Sequence, residues 1–134
     1  MVPRIQEELA TLQAGYGKVD HREVGGEHWF LLADYRFPPG WQIRDQPLEV
    51  GPIAFPVNAS YPMGEPYGFL TPAGINFKGA PPQNTGSPRQ PPVPGEWQFF
   101  SWAPNGWSAT ADASVGSNLT VWARSFRVRL GEGA

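Results

Sequence analysis

Few side chains in this sequence could carry metal or thiol chemistry. None of the 134 residues is a cysteine, which excludes disulfides, thiolate metal sites and a cysteine nucleophile. His21 and His28 could bind a metal or move a proton, but a metal needs three or four converging ligands, and their spacing does not supply them. His28 precedes Trp29 and Phe30, so we interpret it as a packed residue whose ring nitrogen has a partner. The sequence therefore predicts no metal and no other cofactor.

Oxygen and nitrogen nucleophiles are present but poorly placed for catalysis. The stretch Asn-Thr-Gly-Ser at residues 84–87 could supply an oxyanion donor or a hydroxyl. Serine attacks only when a base lies within hydrogen-bonding reach, and neither histidine is expected nearby, so a turn is the better interpretation. The other candidates are interpreted as ordinary surface or turn residues: Asp34, Lys78, Ser101, Ser108 and Asp112. We therefore assign no catalytic residue.

The densest aromatic segment of the chain is a stronger candidate for function. It reads WQFFSW over residues 97–102, and a further tryptophan follows at position 107. Side chains alternate along a strand, so these rings cannot all lie on one side. Either the segment is buried on both sides, or one set of rings is exposed and marks a partner site. The candidate partner-binding residues are Trp97, Phe99, Trp102, Trp107 and, in the preceding loop, Asn84.

Periodicity and turn residues predict the elements that would position this segment. In chain order they are a helix over 3–14, two strands around Gly25-Gly26, strands at 48–57 and 67–70, a long loop at 72–96, the aromatic segment, and a helix from about Ser117. Apolar residues at helical spacing mark the buried faces: Ile5, Leu9 and Leu12 in the first helix, and Leu119, Trp122, Phe126 and Leu130 in the last, with Arg124, Arg127 and Arg129 mainly off that face. This order of elements indicates an α+β fold.

Composition limits the function classes further. A length of 134 residues suits one domain, 1–134. The net charge of −2 and the lack of a basic cluster exclude an electrostatic nucleic-acid interface and disfavour a membrane surface. The opening MVPRIQEELATL has acids where a secretion signal needs a basic start and an apolar stretch. We therefore expect a cytoplasmic protein.

The order of elements resembles the ubiquitin-conjugating fold, and several motifs support the likeness. Tyr61-Pro62 resembles the Tyr-Pro pair of that superfamily, and Trp107-Ser108-Ala109 resembles its Trp-Ser-Pro. Motifs typical of the prokaryotic ubiquitin-conjugating-like family E are Gly-Glu-His-Trp-Phe (26–30), Pro-Tyr-Gly-Phe (66–69), Asn-Thr-Gly (84–86), Phe-Ser-Trp-Ala-Pro (100–104) and Gly-Ser-Asn-Leu (116–119). The resemblance implies a first helix, a four-stranded antiparallel meander, a long loop and a C-terminal helix.

The departures from the superfamily pattern concern its chemistry. The His-Pro-Asn motif and the nucleophilic cysteine are both missing, and the cysteine-equivalent position falls near Phe99. The resemblance therefore implies a pseudo-conjugating domain of a bacterial ubiquitin-like modification system. The implied partners are a ubiquitin-like protein, often in tandem copies, a relative of the ubiquitin-activating enzyme, and a pathway with a JAB-type metalloprotease.

Two other functions stay open at this point. The chain could be a transferase that moves a ubiquitin-like C-terminus through an oxygen or nitrogen nucleophile, which predicts a hydroxylamine-resistant adduct on serine or lysine. Alternatively, exposed tryptophans with low charge could belong to a carbohydrate-binding module, which a secreted location would favour.

Overall fold

The computed structural model describes residues 3–82, 91–104 and 106–132. The elements are α1 (Pro3–Tyr16), β1 (Val19–Val24), β2 (Glu27–Arg36), β3 (Trp41–Ile43), β4 (Gln46–Pro47), β5 (Val50–Val57), β6 (Phe69–Pro72), β7 (Ile75–Phe77), β8 (Trp97–Phe100) and α2 (Leu119–Gly131). The predicted α+β class is confirmed. Within the described ranges, neither helix is long and apolar enough to cross a membrane.

The strands form two sheets rather than the single four-stranded meander that we expected. The main sheet has five antiparallel strands in the order β1-β2-β5-β6-β8, and a small sheet has the order β4-β3-β7. The aromatic segment supplies the fifth strand, β8, which pairs with β6. Residues 75–77, inside the predicted long loop, form a strand that pairs with β3. Strands of two or three residues contain too little alternation to be recognised from sequence.

Both helices pack on one face of the main sheet, which we call the helix face. Phe30, Phe55 and Phe69 lie there, fully buried in one cluster with apolar residues of α1 and α2. The ring of Phe126 in α2 stacks on Phe69 with centroids 4.3 Å apart. Apolar burial at this face is the dominant favourable term in folding, so the helix face is the structural core.

Two hydrogen bonds fix α2 over this core. The hydroxyl of Tyr35 donates to the carbonyl of Ala123 at 2.6 Å, and the indole of Trp41 donates to the carbonyl of Leu130 at 2.9 Å. Burial raises the pKa of Tyr35 well above its ordinary value. Both polar tips therefore have partners, as buried groups usually do.

The buried face of α2 is wider than the sequence predicted. The four predicted apolar residues are buried, but so is Arg129, which we expected off that face. Its guanidinium carbon lies 5.0 Å from the ring centroid of Phe100, a cation–π distance. Loss of water around the charge lowers the pKa of Arg129. Helical spacing alone could not show that an aromatic ring of β8 would accept this side chain.

Candidate functional site

The face of the main sheet away from the helices, which we call the outer face, is also apolar. Leu31, Ala54, Leu70 and Phe99 are partners in adjacent strands, so they form one row across β2, β5, β6 and β8. Trp29, Ala54, Leu70 and Phe99 form a buried cluster, with Leu31 and Trp97 packed half-buried against it. A row of this length across four strands is a second hydrophobic surface, smaller than the core.

Strand β8 supplies rings to both faces, as side-chain alternation requires. Phe100 is buried in the helix-face core, whereas Trp97 and Phe99 join the outer-face cluster. Phe99 is 7% exposed. The segment supplies rings to both faces: Phe99 and Phe100 are buried on opposite sides, whereas Trp97 and Trp102 are half-buried.

The outer face is covered at one end by a short proline segment. Residues 91–93 (Pro-Pro-Val), which we call the strap, line a small apolar gap with Trp29, Leu31 and Ala54. Pro91 is buried, and the other two strap residues are half-buried. Among the described residues of the outer-face cluster, Leu31 and Trp97 are the partly exposed ones.

Tyr67 is the most exposed ring beside the outer face. Its side chain is 54% exposed, and its ring centroid lies 6.2 Å from that of Phe99. Tyrosine offers a large apolar area and a polar tip, a combination that is frequent in protein interfaces. The rim formed by Tyr67, Trp97 and Leu31 is therefore our first candidate for a partner surface.

The other two predicted tryptophans lie in a different place. The indole of Trp102 donates to the hydroxyl of Ser125 in α2 at 3.0 Å, and the indole of Trp107 donates to the carbonyl of Pro62 at 3.0 Å. Trp107 lines a groove of about 220 Å³ beside α2, which we call the α2 groove, and Trp102 is bonded to Ser125, another lining residue. Its lining residues are Pro104, Trp107, Ser117, Val121, Trp122 and Ser125.

The predicted partner-binding residues thus separate into two groups. Trp97 and Phe99 lie on the outer face, and Trp102 and Trp107 lie at the α2 groove. Asn84 is outside the described residues. We grouped these residues by their proximity along the chain, but strand β8 and the irregular segment after it place them on different surfaces.

The two histidines contact each other. Nε2 of His21 and Nδ1 of His28 are 2.9 Å apart, and the rings stack with centroids 5.2 Å apart. His28 is buried, and the prediction that its ring nitrogen has a partner is confirmed. Burial and the neighbouring ring lower the pKa of His21. The hairpin register places Glu23 opposite His28 and His21 opposite Phe30, so counting from Gly25-Gly26 could have predicted this pairing.

Among the described residues, no group of three or more His, Asp or Glu side chains could hold a metal ion. The polar candidates lie in turns or in solvent. Asp112 accepts hydrogen bonds from the backbone and hydroxyl of Ser114, which lower its pKa. Lys78 is exposed, with its ammonium 5.3 Å from the ring centroid of Phe77. The backbone amide of Ser108 donates to the hydroxyl of Ser117 at 2.8 Å. None of these contacts joins a hydroxyl to a histidine.

Sequence reasoning missed a buried carboxylate. Glu8 is 2% exposed, and it accepts the hydroxyl of Tyr61 at 2.8 and 2.7 Å and the amide of Leu119 at 2.6 Å. Its other partner is the guanidinium of Arg4. Burial and the adjacent carboxylate raise the pKa of Tyr61 above its ordinary value. Because positions 5, 8 and 12 share one face of a helix, the spacing could have revealed Glu8 as a core residue.

The Glu8 cluster holds three parts of the chain together. It joins α1, the segment at Tyr61 and the first turn of α2, whose N-cap Asn118 accepts the amide of Val121. A carboxylate at a helix N-terminus also complements the helix dipole. Each hydrogen bond of Glu8 connects two parts of the chain or stabilises a helix, so we interpret the cluster as a network that stabilises the fold.

Compared with protein-family models, curated proteins and solved structures, the chain has no match in any of the three. The function therefore has to be argued from the two surfaces described above and from the motifs of the sequence.

Proposed function

We propose that this chain is a pseudo-conjugating domain that binds a ubiquitin-like protein, its activating enzyme, or both, without covalent chemistry. The α+β arrangement of a first helix, an antiparallel sheet and a last helix on one face is compatible with this proposal. The JAB-type protease pathway implied by the resemblance, and the cytoplasmic location expected from the N-terminal sequence, are part of the same proposal.

A contact between two of the resembling motifs supports the proposal. The Tyr61-Pro62 pair and Trp107 are far apart in the chain, yet their side chains pack together. The ring centroids of Tyr61 and Trp107 are 5.8 Å apart, and the indole donates to the Pro62 carbonyl. The motifs therefore belong to one structural unit, which is what a shared fold requires.

The position expected for a catalytic cysteine also favours binding. Phe99 lies there, and its ring is buried between Leu70 and the exposed Tyr67 on the outer face. A ring at this position can pack against a partner but cannot form a thioester. The segment that would carry a nucleophile is instead part of an apolar surface.

The single observation that carries the proposal is the half-covered outer face. Tyr67, Trp97 and Leu31 leave aromatic and aliphatic area accessible beside a buried cluster. Aromatic anchors beside well-packed neighbours are typical hot spots of protein interfaces. The row of Leu31, Ala54, Leu70 and Phe99 is apolar, and in β1 the charged Asp20 and Arg22 lie opposite Leu31 and Trp29 at its edge, so we expect a partner surface that is apolar at its centre and polar on that side.

A calorimetric titration with the ubiquitin-like protein of the same organism tests this function. We expect saturable binding without ATP, and a loss of about thirtyfold or more in affinity for Tyr67→Ala, since a hot-spot truncation costs at least about 2 kcal/mol. Val128→Ala is the matched control because it also truncates an exposed apolar side chain, but on α2. Thermal melts should show both variants folded.

Absence of heat from the intact protein with the ubiquitin-like protein and with the activating enzyme would overturn the proposal. Equal losses for Tyr67→Ala and Val128→Ala would preserve binding but reject the outer face as its location. A hydroxylamine-resistant adduct formed with ATP and the activating enzyme would instead indicate a transferase.

A further inference from the structure

Two adjoining clefts lie where α2 meets the end of β2. The larger, of about 460 Å³, is bordered by the chain after β2, by residues 47–50 and by α2. The smaller, of about 300 Å³, lies between the end of α1 and the end of β2. Arg36 and Arg127 line both clefts. The two arginines therefore stand where the clefts meet, and we call this pair the arginine ridge.

The arginine ridge carries positive charge that its surroundings do not neutralise. Both side chains are exposed, and neither has a salt-bridge partner among the described residues. Arg127 is oriented by the backbone, because its Nη1 donates to the carbonyl of Arg36 at 3.2 Å. A guanidinium has five N–H donors, so this bond leaves most of them available. The ridge can therefore present an oriented cation to a ligand.

A tyrosine hydroxyl and a third arginine lie beside the ridge. Tyr16 lines the smaller cleft, and its ring stacks on that of Tyr35 with centroids 5.7 Å apart. Burial raises the pKa of Tyr16, while the positive charges of Arg124 and Arg127 act in the opposite direction. Both guanidinium groups are therefore close enough to act on this hydroxyl. Since the hydroxyl stays protonated at neutral pH, it is a further donor beside the ridge.

The larger cleft combines the ridge with an apolar wall. Trp41 and Leu48 are buried along this wall, and Val50 is 45% exposed. The exposed residues that border the cleft, apart from the ridge, are Pro39, Pro47, Glu49 and Val50. A small-molecule site buries most of its ligand, and a cleft bordered by exposed residues is too open for that. The cleft is better suited to a segment of another protein.

The charges around the ridge indicate what kind of segment fits. Asp34 lines the smaller cleft and Glu49 the larger one, so the positive charge of the ridge lies between two carboxylates. A nucleic acid has a charge at every phosphate and needs a continuous basic surface, which these carboxylates interrupt. One or two carboxylates suit the ridge better, because arginine binds a carboxylate through two parallel hydrogen bonds.

We propose that the arginine ridge and the larger cleft bind an extended acidic segment of a partner protein, in which one or two carboxylates lie next to apolar side chains. The carboxylates accept hydrogen bonds from Arg36 and Arg127, and the apolar side chains pack on Leu48 and Val50. The site borders α2, on the opposite side of the main sheet from the outer face. It does not depend on the ubiquitin-like partner proposed for that face.

The test titrates the intact chain with the capped peptide N-acetyl-Asp-Glu-Leu-Phe-amide, followed by NMR. We expect the backbone amide resonances of Phe37 and Val50 to move and saturate, while the indole resonance of Trp97 stays fixed. N-acetyl-Asn-Gln-Leu-Phe-amide has the same shape without the charges and should bind about fivefold more weakly, the effect of one well-placed exposed ion pair. Added salt should weaken binding of the acidic peptide more than that of the neutral one.

Two substitutions locate the site. Arg127→Gln and Arg36→Gln each remove one guanidinium from the ridge, and each should weaken binding of the acidic peptide by about threefold or more. Arg22→Gln is the matched control, because it removes an exposed arginine from β1 and changes the net charge equally. It should leave the affinity unchanged. Thermal melts should show all three variants folded.

Three results would contradict the proposal. The first is a lack of saturable binding, or equal affinity for the acidic and neutral peptides. The second is saturable binding that Arg127→Gln and Arg36→Gln leave unchanged, or that moves the Trp97 resonance rather than that of Val50. The third is tighter binding of a single-stranded thymidine octamer to the same resonances, which would identify a nucleic acid as the ligand.

Discussion

The two faces of the main sheet are built from alternating residues of the same strands, yet they are closed in different ways. On the helix face, Phe30, Phe55 and Phe69 are fully buried by two helices. On the outer face, the described cover is the strap of residues 91–93, and Trp97 remains half-buried. A sheet that is apolar on both faces needs cover on both. In the part of the chain that the structure describes, the helices provide it on one face, and we propose that a partner completes the cover of the other.

Because the two faces differ in this way, aromatic residues on them have different roles. A phenylalanine of the helix face stabilises the fold through contacts from several elements, whereas an aromatic residue of the outer rim is held by few neighbours. The predictions below, from the largest expected effect to the smallest, test whether the two faces differ as described.

Truncation in the helix-face core should have the largest effect. Phe126→Ala removes a ring that stacks on Phe69 and meets the edge of Phe55. We expect the free energy of unfolding to fall by about 3–5 kcal/mol, the usual range for loss of a buried phenylalanine. Chemical denaturation measures it.

The matched truncation on the outer face is Phe99→Ala. We expect a smaller loss of about 1–3 kcal/mol, because the cavity opens beside the exposed Tyr67 and can relax. Equal losses for Phe126→Ala and Phe99→Ala would show that the outer face is as much a part of the core as the helix face.

The Glu8 network should be sensitive to a change of one atom. Glu8→Gln keeps the shape of the side chain but leaves Arg4 without a carboxylate, and we expect the free energy of unfolding to fall by about 1.5–3 kcal/mol, the range for hydrogen bonds to charged groups. Glu7→Gln is the control, because Glu7 is adjacent to Glu8 in the chain but exposed. This change should alter the free energy of unfolding by no more than about 0.5 kcal/mol. A small effect of Glu8→Gln would mean that the buried charge is dispensable.

Acidification should destabilise the hairpin that carries the histidine pair. The folded-state pKa of His21 lies below its ordinary value of 6.5, so the unfolded chain binds the proton more readily. The contribution of His21 to the free energy of unfolding is fully present above about pH 6.5 and is lost as the pH falls below that value. His21→Gln should flatten the plot of Tm against pH near pH 6. The fall in Tm at lower pH, which is caused by protonation of carboxylates, should remain.

The smallest expected effect on stability is that of Tyr67→Ala. More than half of this side chain is exposed, and we expect a change within about 0.5 kcal/mol. The same variant should strongly weaken partner binding. Comparing a denaturation curve with a binding titration therefore separates the role of Tyr67 in fold stability from its role in binding. A large loss of stability would show that Tyr67 is part of the fold rather than a free rim.

Local periodicity predicted the elements that have a full turn or several alternations. The apolar face of α2 was found in this way, and the hairpin at Gly25-Gly26 was found from its turn residues. The strands at 41–43 and 75–77 were not, because three residues contain almost no periodicity. The sheet therefore has five strands with a small second sheet, where four were expected.

The partners of polar side chains were less accessible to sequence reasoning. The partners of Glu8 could not be predicted, because Tyr61 and Leu119 are distant from it in the chain. Arg129 is buried because β8 places the ring of Phe100 beside it. Such contacts arise from tertiary packing, which leaves no local signal. For the same reason, Trp102 was grouped with Trp97 although they lie on different surfaces.

The most direct test of the central claim, that the outer face binds a ubiquitin-like protein, is NMR of the six indole N–H groups during titration with that protein. Trp29 and Trp97 report on the outer face, and Trp41 on the helix-face core. Our account predicts that the first two resonances move and saturate together while that of Trp41 stays fixed. Saturable binding that leaves Trp29 and Trp97 unmoved would contradict it.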